Sequence, residues 1–223
     1  MTFFTQLYTD FFRQLAKNNN KEWFLAHKAE YEKDVKRPFE NFVKQLIAEI
    51  SKHENLDKIQ TKQCIGRINR DIRFSKDKSP YNLHVNAFIS PYGRKDKSYP
   101  GFFIRFSADM VGVMGGCLSH SKEQINAIRE HIENNLSEFE SLYSDKTFCH
   151  KFGKIHGESI KRIPQELKEI AKQEKLILNK QWYFVTEREP EWMLSENLLN
   201  EIMEYYLVAK PLNDFFKKAL KTA

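Results

Sequence analysis

The chain has 223 residues, enough to bury a substantial core, and its 41% hydrophobic and 30% charged residues make a globular composition rather than a disordered one. A net charge of +6 is a mild excess that favours anionic partners, but the polybasic tail of many nucleic-acid binders is missing. Asp10 interrupts the first apolar run, no stretch reaches the roughly 18 apolar residues of a membrane span, and three scattered cysteines make no disulfide framework. A cytoplasmic protein with no membrane partner is expected.

In chain order, Phe3, Phe4, Leu7, Tyr8, Phe11, Phe12 and Leu15 recur at helical spacing and predict one wide apolar face. Asn20 is a suitable cap for a helix starting near Lys21, and Phe24, Tyr31 and Val35 carry that helix to Pro38, which kinks it or opens another. Phe39, Phe42, Val43, Leu46, Ile47 and Ile50 extend the helical region, about 3–52 in all. From about 63 to 117 the period changes to two. Leu83, Val85, Ala87 and Ile89 alternate with His84, Asn86, Phe88 and Ser90; Phe102, Ile104 and Phe106 alternate with Phe103, Arg105 and Ser107; and Val111 to Cys117 follows as the second arm of a hairpin. This predicts an antiparallel sheet of about four strands, with an exposed loop at 92–97.

The last part, about 121–223, is helical and mixed. Ser121 with Gln124 forms a capping box, and Ile125, Ile128, Ile132, Leu136, Phe139 and Leu142 return to helical spacing. A short helix at 164–173, a strand at 181–188, a helix capped by Ser195 and a last helix opened by Pro211 complete the reading. The fold class is α+β: a single domain with a mostly antiparallel sheet packed with helices.

Charge is concentrated at 67–81, where Arg67, Arg70, Arg73, Lys76 and Lys78 stand against Asp71 and Asp77, half of the chain's excess. A strand over 64–74 would place Arg67, Asn69, Asp71 and Arg73 on one face, and Cys64, Gly66, Ile68, Arg70, Ile72 and Phe74 on the other. The polar face predicts a ligand site for a small phosphate- or carboxylate-bearing anion, built from Arg67, Asp71, Arg73, Ser75, Lys76, Lys78, Tyr81 and His84. Asn86 and Arg105 would join it if their strands present polar faces the same way. Arg70, on the apolar face, is expected to be a structural anchor bonded to a carboxylate or to backbone carbonyls. If a reaction occurs there, Asp71 or His84 would move protons and Lys76 or Lys78 would stabilise charge. No residue pattern assigns a reaction or a cofactor. The same residues could equally form ladders of surface ion pairs. A rival reading is a non-catalytic nucleic-acid or protein-binding module using the basic loops at 76–78 and 94–97.

Cys117, His120, Cys149, His150 and His156 lack any paired CxxC or HExxH pattern, so no metal site is assigned. Gly112 to Gly116 lacks the GxxxxGK[ST] sequence of a phosphate loop and reads as strand glycines.

The run Arg67-Ile-Asn-Arg-Asp-Ile-Arg-Phe-Ser-Lys-Asp-Lys-Ser-Pro-Tyr81 resembles the signature of a bacterial family of conserved uncharacterised proteins, domain of unknown function 2461. Asn19-Asn20-Lys21-Glu22-Trp23-Phe24, Tyr31, Pro38, Gly115-Gly116, Ile128-Arg129 and Lys161-Arg162 before Pro164 are similar to it too, so the resemblance covers nearly the whole chain. It implies no activity and no catalytic residues. Asn82 departs from the pattern, in which a basic residue often follows the Pro-Tyr, and that puts one anion contact in doubt.

Overall fold

The computed structural model describes residues 2–221. The fold is α+β, with one four-stranded antiparallel sheet and helices. In chain order the elements begin with α1 (Gln6–Lys17), α2 (Lys21–Ala26), α3 (Lys28–Glu30), a π-helical turn (Tyr31–Lys36), α4 (Arg37–Ile50) and α5 (Thr61–Cys64). Then come β1 (His84–Ile89), β2 (Gly101–Ser107), β3 (Val111–Cys117), α6 (Lys122–Asn134), α7 (Leu136–Ser144), α8 (Lys146–Phe152), α9 (Ile170–Gln173), β4 (Trp182–Arg188) and α10 (Leu198–Leu220). The strand order is β1-β2-β3-β4, each strand beside its sequence neighbour. The described residues group into two compact units, neither of them contiguous in sequence.

The first unit comprises residues up to 94, 103–113 and 187–203. Its core is aromatic: Phe4, Tyr8, Phe39, Phe42 and Phe106 are buried and meet at ring separations of 5.1–5.6 Å, in the tilted and edge-on arrangements that aromatic quadrupoles favour. Leu7 departs from the predicted apolar face of α1 and is 53% exposed, because the buried side is already filled by Tyr8, Phe11, Phe12 and Leu15. The Asn20 side chain accepts from the Trp23 amide at 2.9 Å and caps α2. The helical stretch across 21–50 then breaks its ordinary pattern before Pro38. Over Tyr31–Lys36 the turn widens to π geometry, and the Arg37 amide bonds back to the Glu32 carbonyl five residues earlier. A proline, lacking an N–H and clashing with the turn behind it, is accommodated by such a local rearrangement. Tyr31 and Val35 face the core from this turn, leaving Glu32 and Lys36 on its outer side, with Lys28 of α3 exposed before it.

The strand predicted over 64–74 does not form. Residues 61–64 are helical, and only two isolated antiparallel bridges follow, Ile65 to Ala87 and Asn69 to Tyr81. Backbone pairing runs through Gly66 to Asn86, Asn82 to Ile68 and Arg70 to Pro80 and then ends. Beyond Arg70 no partner strand lies alongside among the described residues, and the chain turns at 72–75 with the Ser75 amide on the Ile72 carbonyl. Alternation therefore holds to Arg70 and fails after it. Phe74, predicted on the apolar face, is 96% exposed.

The second unit comprises 95–102, 114–186 and 204–221. The capping box of α6 forms as predicted, with Ser121 and Gln124 exchanging side-chain and backbone bonds. The helical run to 144 divides at Asn135 into α6 and α7. The helix predicted at 164–173 appears as a short 3-10 turn and α9, and β4 matches the predicted strand. Buried Asn213 accepts from the Gly116 amide at 2.7 Å and donates to the Gly101 carbonyl at 3.2 Å. Gly116 has a φ of +94°, and a Cβ there would meet the Trp182 carbonyl oxygen at 2.2 Å, so only glycine fits.

Pro211 does not open a helix, because α10 runs through it. An interior proline costs about 3 kcal/mol, whereas each fully buried large side chain stabilises by about 1.5–3 kcal/mol. Leu212, Phe215 and Phe216 are all buried just beyond it, and the carbonyl that loses its bond belongs to exposed Leu207. Burial wins.

Candidate functional site

Residues 65–69 pass beside the π-helical turn in the first unit, and together they enclose a cleft of about 370 Å³. Its basic groups are Lys28, Lys36, Lys62, Arg67 and Arg94, against two carboxylates, Glu32 and Glu40. Phe24, Tyr31, Ile65 and Ile68 provide an apolar lining, and Asn69 an amide. Lys36 is tied to Glu32 at 2.8 Å, which holds its ammonium above its ordinary range. Glu40 also lies near Lys36, and the Asp71 carboxylate near Arg67.

Arg94 reaches the cleft because Gly93 turns with a φ of +60°, its position so close to the chain that an added Cβ would lie 2.7 Å from the Gln63 carbonyl oxygen. The Arg94 Nε is fully buried and has no hydrogen-bond partner among the described residues. A buried donor without an acceptor is costly, and this one belongs to a cation.

A second cleft of about 550 Å³ meets the first, the two sharing Glu40 and Lys62. It adds Arg37, Asn41 and Lys44 from α4, with Gln60 and Thr61.

Residues 70–79 are organised differently. The Arg70 guanidinium, 25% exposed, bonds the Asp77 carboxylate, the Ser79 carbonyl at 3.1 Å and the Ser75 hydroxyl at 3.4 Å. Arg73 and Asp71, both exposed, form a two-pronged pair at 2.9 and 2.7 Å. Bonds from Arg73 hold the Asp71 carboxyl below the usual range, and bonds from Ser79, then Arg70, do so for Asp77. Lys78 donates to the Ile72 carbonyl at 3.0 Å, and Lys76 is exposed.

Of the residues expected in one site, Arg67 alone lines the basic cleft. Tyr81 and His84 line a separate pocket of about 230 Å³ with Arg70, Asp77 and Ser79. Asp71, Arg73, Ser75, Lys76 and Lys78 line neither. Burial, with nearby Arg105, pushes His84 down to about 4, so its ring is neutral at pH 7. Tyr81 is buried, its ring stacked on Phe24 at 4.0 Å and its backbone held at both N–H and C=O by the Asn19 amide. Arg105 is exposed on β2.

Sequence reasoning missed Lys28, Lys62 and Arg94 as neighbours of Arg67. They come from three separate segments, so no local spacing could have grouped them; the glycine before Arg94 was the one local signal.

The remaining candidates stay apart. Cys117 is buried, and burial raises its thiol well above the ordinary range. His120 has both ring nitrogens buried without partners among the described residues, and burial pushes it down to about 4. No group of three or more His, Cys, Asp or Glu among the described residues is placed to hold a metal ion. Gly115 lies against Phe184, a close-packing role. Among the described residues no helix is long and apolar enough to cross a membrane.

A family model described as "Conserved hypothetical protein (DUF2461)" matches residues 8–215. No curated protein and no solved structure matches the chain.

Proposed function

We propose that this chain, which belongs to the DUF2461 family of conserved hypothetical proteins, binds a phosphate-bearing anion in the cleft between Arg67 and Arg94. The observation that carries this reading is that Lys28, Lys62, Arg67 and Arg94 line one cleft and none of them is in an ion pair with a described carboxylate. Arg67, from the facing segment, supplies a second guanidinium, and two such forks match the oxygens of a phosphate. Lys28 and Lys62 add charge, while Ile65, Ile68 and Tyr31 suit the apolar body of an ester better than inorganic phosphate alone.

No reaction belongs to this proposal. The proton carriers expected from the sequence stand elsewhere: Asp71 is paired with Arg73, and His84 lines another pocket. A cytoplasmic location is part of the proposal, and three free thiols support it. Titration calorimetry with pyrophosphate and phosphate esters tests the binding. Arg67→Ala should weaken affinity by about 1.5–3 kcal/mol, the range of a charge-assisted hydrogen bond, with an unchanged melting curve. Equal affinity in the variant, or no binding by the native chain, would remove this reading.

A further inference from the structure

We infer that the anion of this cleft is one end of a longer ligand, an uncharged organic body with a phosphate at each end, whose second phosphate is held by Arg37 and Lys44. The inference rests on the anion-binding reading above and names its ligand class. Three observations lead to it.

The first is that the two clefts are continuous but do not share their arginines. Glu40 and Lys62 line both, whereas Arg67 and Arg94 line only the first and Arg37 and Lys44 only the second. A phosphate seated between Arg67 and Arg94 therefore leaves Arg37 and Lys44 to another anionic group.

The second is how those two cations are set. Arg37, Glu40, Asn41 and Lys44 follow one another on α4 at the three- and four-residue spacing that places side chains on one face of a helix. Arg37 and Lys44 are seven residues apart, about 10 Å along the axis at 1.5 Å per residue. Two side chains of their length can meet across that gap on one phosphate, with the Asn41 amide as a further donor. Neither is in an ion pair with a described carboxylate, as is true of the four cations in the first cleft.

Glu40 is the third. Its carboxylate stands where the clefts meet, between the two sets of cations. A like charge placed there disfavours an unbroken run of phosphates across the junction. An uncharged linker meets no such repulsion, and a hydroxyl on it could donate to the carboxylate. On the first-cleft side, Tyr31, Ile65 and Ile68 offer apolar contact to such a body. The geometry thus suits two separated phosphates better than linear polyphosphate or a nucleic-acid backbone.

Titration calorimetry tests this with alkanediol bisphosphates, from ethanediol to decanediol, against the matching alkyl monophosphates, pyrophosphate and linear polyphosphate. The native chain should bind a bisphosphate long enough to span both clefts about tenfold or more above its monophosphate, the effect of one added charge-assisted hydrogen bond. Members too short to span should show no gain. Arg37→Ala and Lys44→Ala should each remove most of the gain and leave monophosphate and pyrophosphate affinity unchanged, whereas Arg67→Ala should weaken the whole series. Glu40→Gln should raise the affinity for linear polyphosphate. Arg37 and Lys44 are exposed, so melting curves should coincide. Monophosphate binding that needs Arg67, with no gain at any length or a gain indifferent to Arg37 and Lys44, would overturn the second phosphate and leave the anion cleft standing. A native chain that prefers linear polyphosphate to every bisphosphate would overturn the uncharged body. Binding of no member of the series and no pyrophosphate would overturn both readings.

Discussion

Arg67 and Arg73 belong to one charged segment, yet the cleft around Arg67 and the loop around Arg73 use their cations in opposite ways. In the loop, Arg70 and Arg73 are each tied to a carboxylate of the same segment, Asp77 and Asp71. In the cleft, Arg67, Arg94, Lys28 and Lys62 are in no ion pair with a described carboxylate, although Asp71 lies near Arg67 and Glu40 near Lys36. A charge count along the chain treats these arginines as equivalent. Their availability to a ligand is set by whether an acid lies within reach in the fold, and pairs on an exposed loop contribute little to stability or to binding.

The widest separation between the two regions is expected from Arg94→Ala. Anion affinity should fall by about 1.5–3 kcal/mol, while the melting temperature should hold or rise, because the variant removes a buried unpartnered donor. A fall in melting temperature with unchanged affinity would place Arg94 with the structural arginines and dissolve the comparison. Arg70→Ala should show the reverse pattern: a stability loss of about 1 kcal/mol by denaturant melts, with anion affinity preserved. The loss stays modest because Asp77, its carboxylate partner, is exposed. Arg73→Ala should change neither quantity, and a marked effect on anion binding would return that side chain to the site.

A smaller effect comes from pH. His84 is held near 4 in the fold against an ordinary 6.5, mainly by burial. Between those values the unfolded chain binds more protons than the folded one, so stability is full above about pH 6.5 and falls as pH drops towards 4. His84→Asn should flatten this limb of a melting-temperature profile, leaving the shares of His120 and His131, which burial shifts the same way. The carboxylates of Asp71 and Asp77 are lowered instead, so their contribution is lost only at still lower pH. A profile unchanged by the substitution would mean that His84 is not desolvated.

Much of the fold was legible locally. The caps at Asn20 and Ser121, the hairpin of β2 and β3, strand β4 and the apolar face of α1 all follow from contacts within a few residues, where spacing and side-chain chemistry decide the outcome. The family likeness was legible as well, because its signature is a continuous run.

What the chain could not reveal alone depended on partners distant in sequence. Alternation at 64–74 persists only while β1 and residues 80–82 lie alongside, so the predicted strand stops at Arg70 and Phe74 turns to solvent. Pro211 reads as a helix start, yet burial of Leu212, Phe215 and Phe216 carries α10 through it. Arg67 meets Arg94, Lys28 and Lys62 only in the folded unit. The sequence by itself determined the elements and the place of densest charge. Tertiary structure decided which of those charges are tied to their own carboxylates and which face an open cleft, because electrostatic pairing depends on distance in space, and local spacing sets that distance only for residues close in the chain.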